Sequence, residues 1–258
     1  MSGIWSDAAH WLSDEAAIRA LAPSGRLRVG IAVGKAQSAV WTLRDARGRP
    51  QGVTVEIAKL IAEMTDLPLD LVEYESSGAV IAAASRGEWD VAFAPVDEER
   101  KAVVDFAAAY YVGESTCMVA PNVRATSVED LNRGEIRIIG VEDTATIRSA
   151  RWVFTQASIS GVAGLDEALS LFRAGSADAM ALGRESLLSI AASFPDARIL
   201  DGAFHTAATA AAVPKGAAQA KEFVGAVIEE MKSDGAIRRI FDRCGMKHAA
   251  VAPAGLGS

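Results

Sequence analysis

The chain has 258 residues, enough for one large domain or for two lobes of roughly 100 residues each. Half of its residues are apolar and 23% are charged, the composition of an ordinary globular protein with a sizeable core and not of a disordered or fibrous one. With 33 acidic residues against 26 basic ones the net charge is -7, and no run of Lys or Arg forms a nucleic-acid footprint, so neither DNA nor RNA is an expected partner.

Residues 1–25 read as an N-terminal helical extension. The opening stretch MSGIWSDAAHWLSDEAAIRALA lacks a basic leader followed by an unbroken apolar run, and its acids interrupt every apolar stretch. Trp11, Ala16 or Ile18, and Leu21 can share one helix face, with Ser13 and Glu15 at the helix start. No other run reaches the ~18 apolar residues of a membrane span. As written the chain carries no export signal, so the expectation is a cytoplasmic protein if Met1 is the native start.

From Arg26 onward strand and helix patterns alternate, the mark of an α/β fold with parallel strands. Residues 27–33 (LRVGIAV) predict a strand, 53–64 a helix with apolar residues at helical spacing, 69–74 a strand, 79–85 a helix of small residues and 91–93 a strand. A strand over 116–120 is broken by Pro121 and Asn122. Thr126 and Glu129 then have the spacing of a capping box. Residues 136–141 open a second lobe of the same plan, with helices over 146–157 and 166–173 and a strand over 179–182.

A quasi-repeat links the two halves. Arg86-Gly87-Glu88-Trp89-Asp90 and Arg173-Ala174-Gly175-Ser176-Ala177-Asp178 each end a helix at a glycine and lead through an Asp into a buried strand. Residues 206–213 predict an apolar strand closed by Pro214-Lys215-Gly216, followed by helices over 217–232 and 236–243. The Ala-, Gly- and Pro-rich residues 249–258 read as a flexible tail.

Cys117 and Cys244 have no second pair to form a metal knuckle or redox motif, and read as two free thiols more readily than as a disulfide. His10, His205 and His248 are scattered, so no metal is expected. The stretch Gly30-Ile31-Ala32-Val33-Gly34 has the wrong spacing for a dinucleotide loop, no P-loop is present, and no nucleophile elbow surrounds a serine. No cofactor and no catalytic residue are expected. Trp89 and Trp152 read as core or lobe-surface packing residues, and Trp41 as a loop aromatic that could shield a cleft.

The most informative stretch is residues 89–111, WDVAFAPVDEERKAVVDFAAAYY, an Asp-led apolar strand running into an acidic turn with one arginine, then Asp-Phe and two tyrosines. It resembles the bacterial extracellular solute-binding proteins of family 3, the amino-acid-type substrate-binding proteins of ABC transporters. The resemblance covers about residues 26–246. It implies a two-lobed, type II periplasmic-binding-protein-like α/β fold with a ligand cleft between lobes, lobe 1 formed by 26–112 plus 208–248 and lobe 2 by 117–204. Two passages of the chain between lobes would form a hinge that closes on a solute.

The resemblance also implies site residues. Arg100, six residues before Phe106, would grip a carboxylate of the solute, a task suited to the planar guanidinium fork. A pairing with Asp97, Glu98 or Asp105 on a solvated surface is the competing reading. Thr146 matches a ligand-binding threonine and Thr144 stands where the family has a glycine; a helix N-cap serves either equally well. Ser76 and Ser77 lie in the loop after the second strand, with Ser76 where an aromatic ring often stacks. Lys35 lies in the loop after the first strand.

Ala94-Pro95 replaces the small hydroxyl residues that normally donate to the solute. The acid that commonly holds an α-ammonium, five residues after Asp178, is Gly183. Arg184 follows it, as a further ligand contact or as a partner of Glu185 or Asp178. Glu114, beside the expected hinge, could restore amine recognition. The expected function is capture of a small carboxylate-bearing metabolite, an amino acid or organic acid, by a monomeric, non-enzymatic receptor serving an ABC transporter membrane subunit. The family is periplasmic. Two alternatives stand beside it: an enzyme on the same scaffold, dehydratase-like and using Glu114 or Glu142, and a cytoplasmic ligand sensor.

Overall fold

The computed structural model describes residues 14–33, 40–142 and 144–256. The first helix, α1 (Glu15–Leu21), begins at Asp14, whose carboxylate accepts from the N–H groups of Ala16 and Ala17 at 2.9 and 3.2 Å. Its buried residues are Ala17 and Leu21, with Ile18 packed beside them, so the inner face is one residue removed from Ala16. Trp11 and Ser13 lie outside the described residues.

The chain continues through β1 (Leu27–Ala32), a short hairpin of β2 (Leu43–Arg44) and β3 (Pro50–Gln51), α2 (Val53–Thr65), β4 (Leu69–Tyr74), α3 (Ser77–Ala82), β5 (Val91–Pro95), α4 (Glu98–Lys101) and β6 (Val104–Val119). β1 runs parallel to β4, with Leu27 opposite Leu69 and Ala32 opposite Tyr74, and parallel to β5 on its other side. Apolar residues at helical spacing turn Val53, Ile57, Ala58 and Ile61 of α2 into the core. Trp89 is fully buried and donates its ring N–H to Val80 O at 2.9 Å. Gly30 lets the ring approach: a Cβ there would stand 3.1 Å from Trp89 Cγ.

β6 differs from the expected strand over 116–120: it is one strand of 16 residues. It runs without interruption through Gly113, Glu114 and Ser115, with Val112 paired to Ala250 on one side of them and Ser115 to Gly183 on the other. Beyond it, the capping-box expectation fails. Asp130, not Glu129, accepts from the Thr126 and Ser127 N–H groups and the Thr126 hydroxyl, at 2.7, 3.1 and 2.9 Å, and a 3-10 turn over Glu129–Leu131 follows.

Next come β7 (Arg137–Val141), α5 (Ala145–Val153), β8 (Ser158–Val162), α6 (Leu165–Arg173), β9 (Ala179–Gly183), α7 (Arg184–Ile190) and β10 (Arg198–Ile199). α5 stops short of the expected residue 157 because Phe154 leaves helical geometry and buries its ring against Phe204, centroids 5.1 Å apart. The return path is β11 (His205–Pro214), α8 (Ala218–Ser233), α9 (Ala236–Arg243) and β12 (Ala250–Val251). The chain divides into two compact units, Met1–Val112 with Ala208–Ser258, and Gly113–Ala207. It leaves the first unit along β6 and returns along β11.

In the first unit the strand order is β4-β1-β5-β11-β6, with β11 antiparallel to β5. In the second it is β6-β9-β7-β8, with β9 antiparallel to β6 and parallel to β7. Two cores flank this second set of strands. Cys117, Val119 and Ala181 pack with Ala150 of α5, while Met118 and Met180 pack with Phe172 of α6 and Leu187 of α7.

The quasi-repeat has a physical counterpart in each unit. Asp90, just before β5, accepts from the Arg28 N–H at 2.9 Å and from its guanidinium at 2.5 and 3.1 Å, and Arg28 also donates to Gly87 O at 2.7 Å. Asp178, just before β9, accepts from the Arg137 N–H and guanidinium at 2.9, 2.9 and 3.0 Å, and Arg137 donates to Gly175 O at 2.9 Å. Each staple fixes the amino end of two neighbouring parallel strands and a glycine turn with one guanidinium. The Arg137 guanidinium, opposed by partial desolvation and aided by its backbone N–H, holds the Asp178 carboxyl below the usual carboxylate range.

The C-terminal residues correct the expectation of a flexible tail. β12 pairs antiparallel with β6, Ala250 opposite Val112 and Val251 opposite Tyr111, and Ala249 and Ala252 are buried. Lys232 of α8 donates to Ala109 O and Pro253 O, clamping this strap to the strand beneath it. Both thiols are free, Cys117 buried and Cys244 partly so. Trp152 is 86% exposed, so it is no packing residue; Trp41 packs against the first unit's core.

Candidate functional site

In open parallel sheets, ligands collect where strands end and helices begin. In the first unit the described loops at those ends follow β4 and β5, and Arg100 joins them. Its Nη1 donates to Pro95 O at 2.9 Å and its Nη2 to Ser77 Oγ at 3.3 Å, across 23 residues of sequence. Its side chain is 21% exposed, and Nε stands 3.4 Å from Asp97 Oδ2.

Asp97 also caps α4 by accepting from the Arg100 N–H at 2.8 Å. The other surface partners expected for Arg100 are engaged elsewhere: Glu98 with Lys101, and Asp105 with Lys215 and the Gly216 N–H, each at 2.7 Å. Ser76 sits beside Ser77 as the N-cap of α3, its hydroxyl accepting from the Ala79 N–H at 3.1 Å. Lys35 lies outside the described residues.

In the second unit, β7 ends at Val141 and α5 follows. Thr144 is the N-cap: its hydroxyl accepts from the Ile147 N–H at 3.2 Å and donates to Val141 O at 2.8 Å, so both of its roles are local. Thr146 Oγ1 meets Ser115 Oγ at 3.0 Å. Ser115 is 7% exposed and pairs in register with Gly183, the last residue of β9. Ser115 was not among the site residues expected from sequence; with Glu114 before it and Thr116 after it, nothing in the sequence set its hydroxyl apart. Glu142 receives both Nη atoms of Arg151, at 2.7 and 2.8 Å, with its carboxylate lying over Gly161.

Arg184 and Glu114 find each other. Arg184 Nε donates to Glu114 Oε2 at 2.5 Å, while Nη1 and Nη2 reach Leu200 O at 3.4 Å and Gly202 O at 2.5 Å. Asp178, one expected partner of Arg184, is taken by Arg137. Successive strand residues point to opposite faces, so Glu114 and Ser115 diverge. Ser115 falls with Cys117 and Val119 on the α5 side, and Glu114 with Met118 on the α7 side. The structure therefore brings Thr146 to Ser115 and Arg184 to Glu114, but separates the two pairs by the strand itself.

Among the described residues no group of three or more His, Cys, Asp or Glu could hold a metal ion, and no helix is long and apolar enough to cross a membrane.

Two α/β units, linked by one outgoing and one returning strand and carrying polar residues at the carboxyl ends of parallel strands, define a type II periplasmic-binding-protein fold. The chain belongs to the bacterial extracellular solute-binding proteins, family 3, whose family model matches residues 28–246. The ABC transporter glutamine-binding protein GlnH of Bacillus subtilis is 26% identical over 200 residues, covering 76% of this chain and 73% of that protein. Among solved structures, the amino acid ABC transporter substrate-binding protein AbpA of Streptococcus pneumoniae, bound to L-arginine, has a TM-score of 0.68 at 23% identity, covering 88% of this chain and 97% of that one. The ancestral amino acid-binding protein AncCDT-1, a precursor of cyclohexadienyl dehydratase, has a TM-score of 0.69 at 23% identity, covering 88% and 98%. At these identities the solved structures share the fold.

Proposed function

We propose that this chain captures a small carboxylate-bearing metabolite, an amino acid or organic acid, by hinge closure, and presents it as a monomer to the membrane subunit of an ABC-type importer. The observation that carries the reading is Arg100, four-fifths buried on α4 just past the end of β5 and steadied by Pro95 O and Ser77. A guanidinium held in one orientation offers two parallel donors to a carboxylate, and the fixing carbonyl and hydroxyl lower the entropy lost on binding. Membership in the family supports the same role. Closure is stabilised by contacts that only the closed form makes, and no chemistry is required.

The enzyme reading needs a positioned acid or base. Its two candidates, Glu114 and Glu142, are each held by an arginine, which supports binding over catalysis. The test is thermal-shift screening of amino acids, dicarboxylates and aromatic acids against wild type and Arg100→Ala. A ligand at 100 times its Kd adds about 2.7 kcal/mol of stability. The expected result is a stabilising acid whose effect vanishes in Arg100→Ala; an acid that stabilises both proteins equally would remove Arg100 from the site.

A further inference from the structure

We infer that the second unit carries an anion site of its own, built around Arg124 and Arg198 and separate from the strand ends described above, and that it takes a doubly charged phosphate group, free or as a monoester. A pocket of about 700 Å³ lies among the loop after β6, the 3-10 turn and β10, lined by Arg124, Arg133, Arg198, Thr126, Glu129 and Asp130. Val119, the last residue of β6, pairs with Ala179, whereas Ser115 pairs with Gly183. The loop that carries the pocket therefore leaves the ladder about 13 Å from its Ser115 end.

The main chain places the arginines. Val123 and Ala125 are buried, so the exposed Arg124 between them turns outward. Arg198 Nη2 donates to Val123 O and Ala125 O, both at 3.1 Å, and Arg133 Nη2 donates to Arg124 O at 3.4 Å. Three arginines thus converge on one short segment. Arg133 has Glu135 at 3.7 Å. Arg124 and Arg198 have no carboxylate partner among the described residues, and the Arg124 guanidinium together with Nε and Nη1 of Arg198 keeps its donors open.

The pocket's two carboxylates are engaged by neutral donors. Asp130 accepts from the Thr126 and Ser127 N–H groups and the Thr126 hydroxyl, and Glu129 accepts from the Ser127 hydroxyl. Other arginines of this acidic chain are matched: Arg28 with Asp90, Arg137 with Asp178, Arg151 with Glu142 and Arg184 with Glu114. Holding up the loop carbonyls accounts for Arg198 Nη2 and for Arg133, but not for Arg124. Two unmatched guanidinia in one pocket repel each other, and an anion of two charges relieves both at once. A phosphate group also offers three oxygens to the two planar forks, where a carboxylate offers two.

The experiment is isothermal titration of the full chain with glycerol 3-phosphate and with inorganic phosphate. Both should bind with a Kd of about 1 mM or tighter. Dimethyl phosphate, tetrahedral but singly charged, should bind at least about tenfold more weakly. Arg124→Gln should weaken both dianions about tenfold, and Arg198→Gln at least as much. Arg124 makes no side-chain bond in the fold, so its variant keeps the loop intact and the test stands even where Arg198→Gln unfolds it. Arg100→Ala, in the first unit, should leave phosphate affinity unchanged.

Absence of binding by either dianion at about ten times that Kd, or equal affinity in wild type and Arg124→Gln, overturns the inference. So does loss of phosphate binding in Arg100→Ala, which would place the anion at the first unit's strand ends. Succinate bound through Arg124 as tightly as glycerol 3-phosphate would overturn the assignment to phosphate.

Discussion

Replacing Lys232 by methionine removes the ammonium while keeping the aliphatic stem, and should release the C-terminal strap. The side chain is 5% exposed and donates to Ala109 O at 3.1 Å, Pro253 O at 2.9 Å and Glu229 Oε1 at 2.7 Å. Glu229 in turn accepts from the Gly255 N–H at 3.1 Å, so one charge pair anchors both walls of the strap. Hydrogen bonds to a charged donor contribute about 1.5–3 kcal/mol each when buried, and the Pro253 carbonyl recovers water once released. The Ala109 carbonyl lies in the interior and does not. Glu229 is 31% exposed, so its unpaired charge is partly screened.

The sum expected for Lys232→Met is about 3 kcal/mol. The loss should be local before it is global. The amides of Ala252, bonded to Tyr110 O, and Ala109, bonded to Leu256 O, should exchange about a hundredfold faster. Hydrogen exchange read by mass spectrometry, alongside urea unfolding, measures both quantities. A stability loss under about 1 kcal/mol with unchanged exchange at Ala252 would refute the anchoring argument.

Asp178→Asn should cost about 1 kcal/mol at neutral pH, since Arg137 is half exposed and its pairing is screened. Because the folded Asp178 carboxyl titrates below its unfolded value of about 3.9, its contribution is complete above that value and is lost as pH falls through the folded one. The gap between wild type and Asp178→Asn in chemical denaturation should therefore close under acid. Gly161→Ala places a Cβ 1.5 Å from Glu142 Oε2 and must expel that carboxylate from Arg151. Its cost should shrink in a Glu142→Ala background, a non-additivity that a double-mutant cycle detects. Cys117, whose thiol is pushed up by burial, should resist iodoacetamide in the native protein until unfolding exposes it, with mass spectrometry giving the order of labelling.

Much of the scaffold was legible because its signals are local. β4 over Leu69–Tyr74 and α9 over Ala236–Arg243 have the bounds their apolar patterns predict, and α2 ends one residue later than expected. Elements held by distant partners were not legible. The strap has no periodicity, only small residues, and exists because Val112, Tyr111 and Lys232 receive its backbone. The strand expected over 116–120 is only the end of β6, whose full length is set by partners on β9 and β12. At the site, residue types were readable but their partners were not. Arg184 has Glu185 beside it in sequence, yet its guanidinium settles on Glu114, 70 residues away, with two carbonyls. A charge's neighbours in sequence therefore do not tell which partner it takes in the fold.

The two ends of the strands carry different duties. At the amino ends both units use the same staple, an arginine on one strand holding an aspartate ahead of its neighbour and a glycine carbonyl below. At the carboxyl ends the units part company: β5 runs into Pro95 and a short helix bearing Arg100, while β9 ends at Gly183 and opens a helix with Arg184. Shared chemistry where the strands begin and divergent chemistry where they end fits a scaffold whose stability and selectivity sit on opposite edges. Variants at the two edges should then separate cleanly. Asp90→Asn should lower the unfolding midpoint and leave the ranking of bound acids intact. Ser115→Ala, which strips the hydroxyl facing Thr146, should weaken acid binding severalfold beyond any change in midpoint. A change of ligand ranking in Asp90→Asn, or unaltered affinity in Ser115→Ala, would show that the edges are not divided in this way.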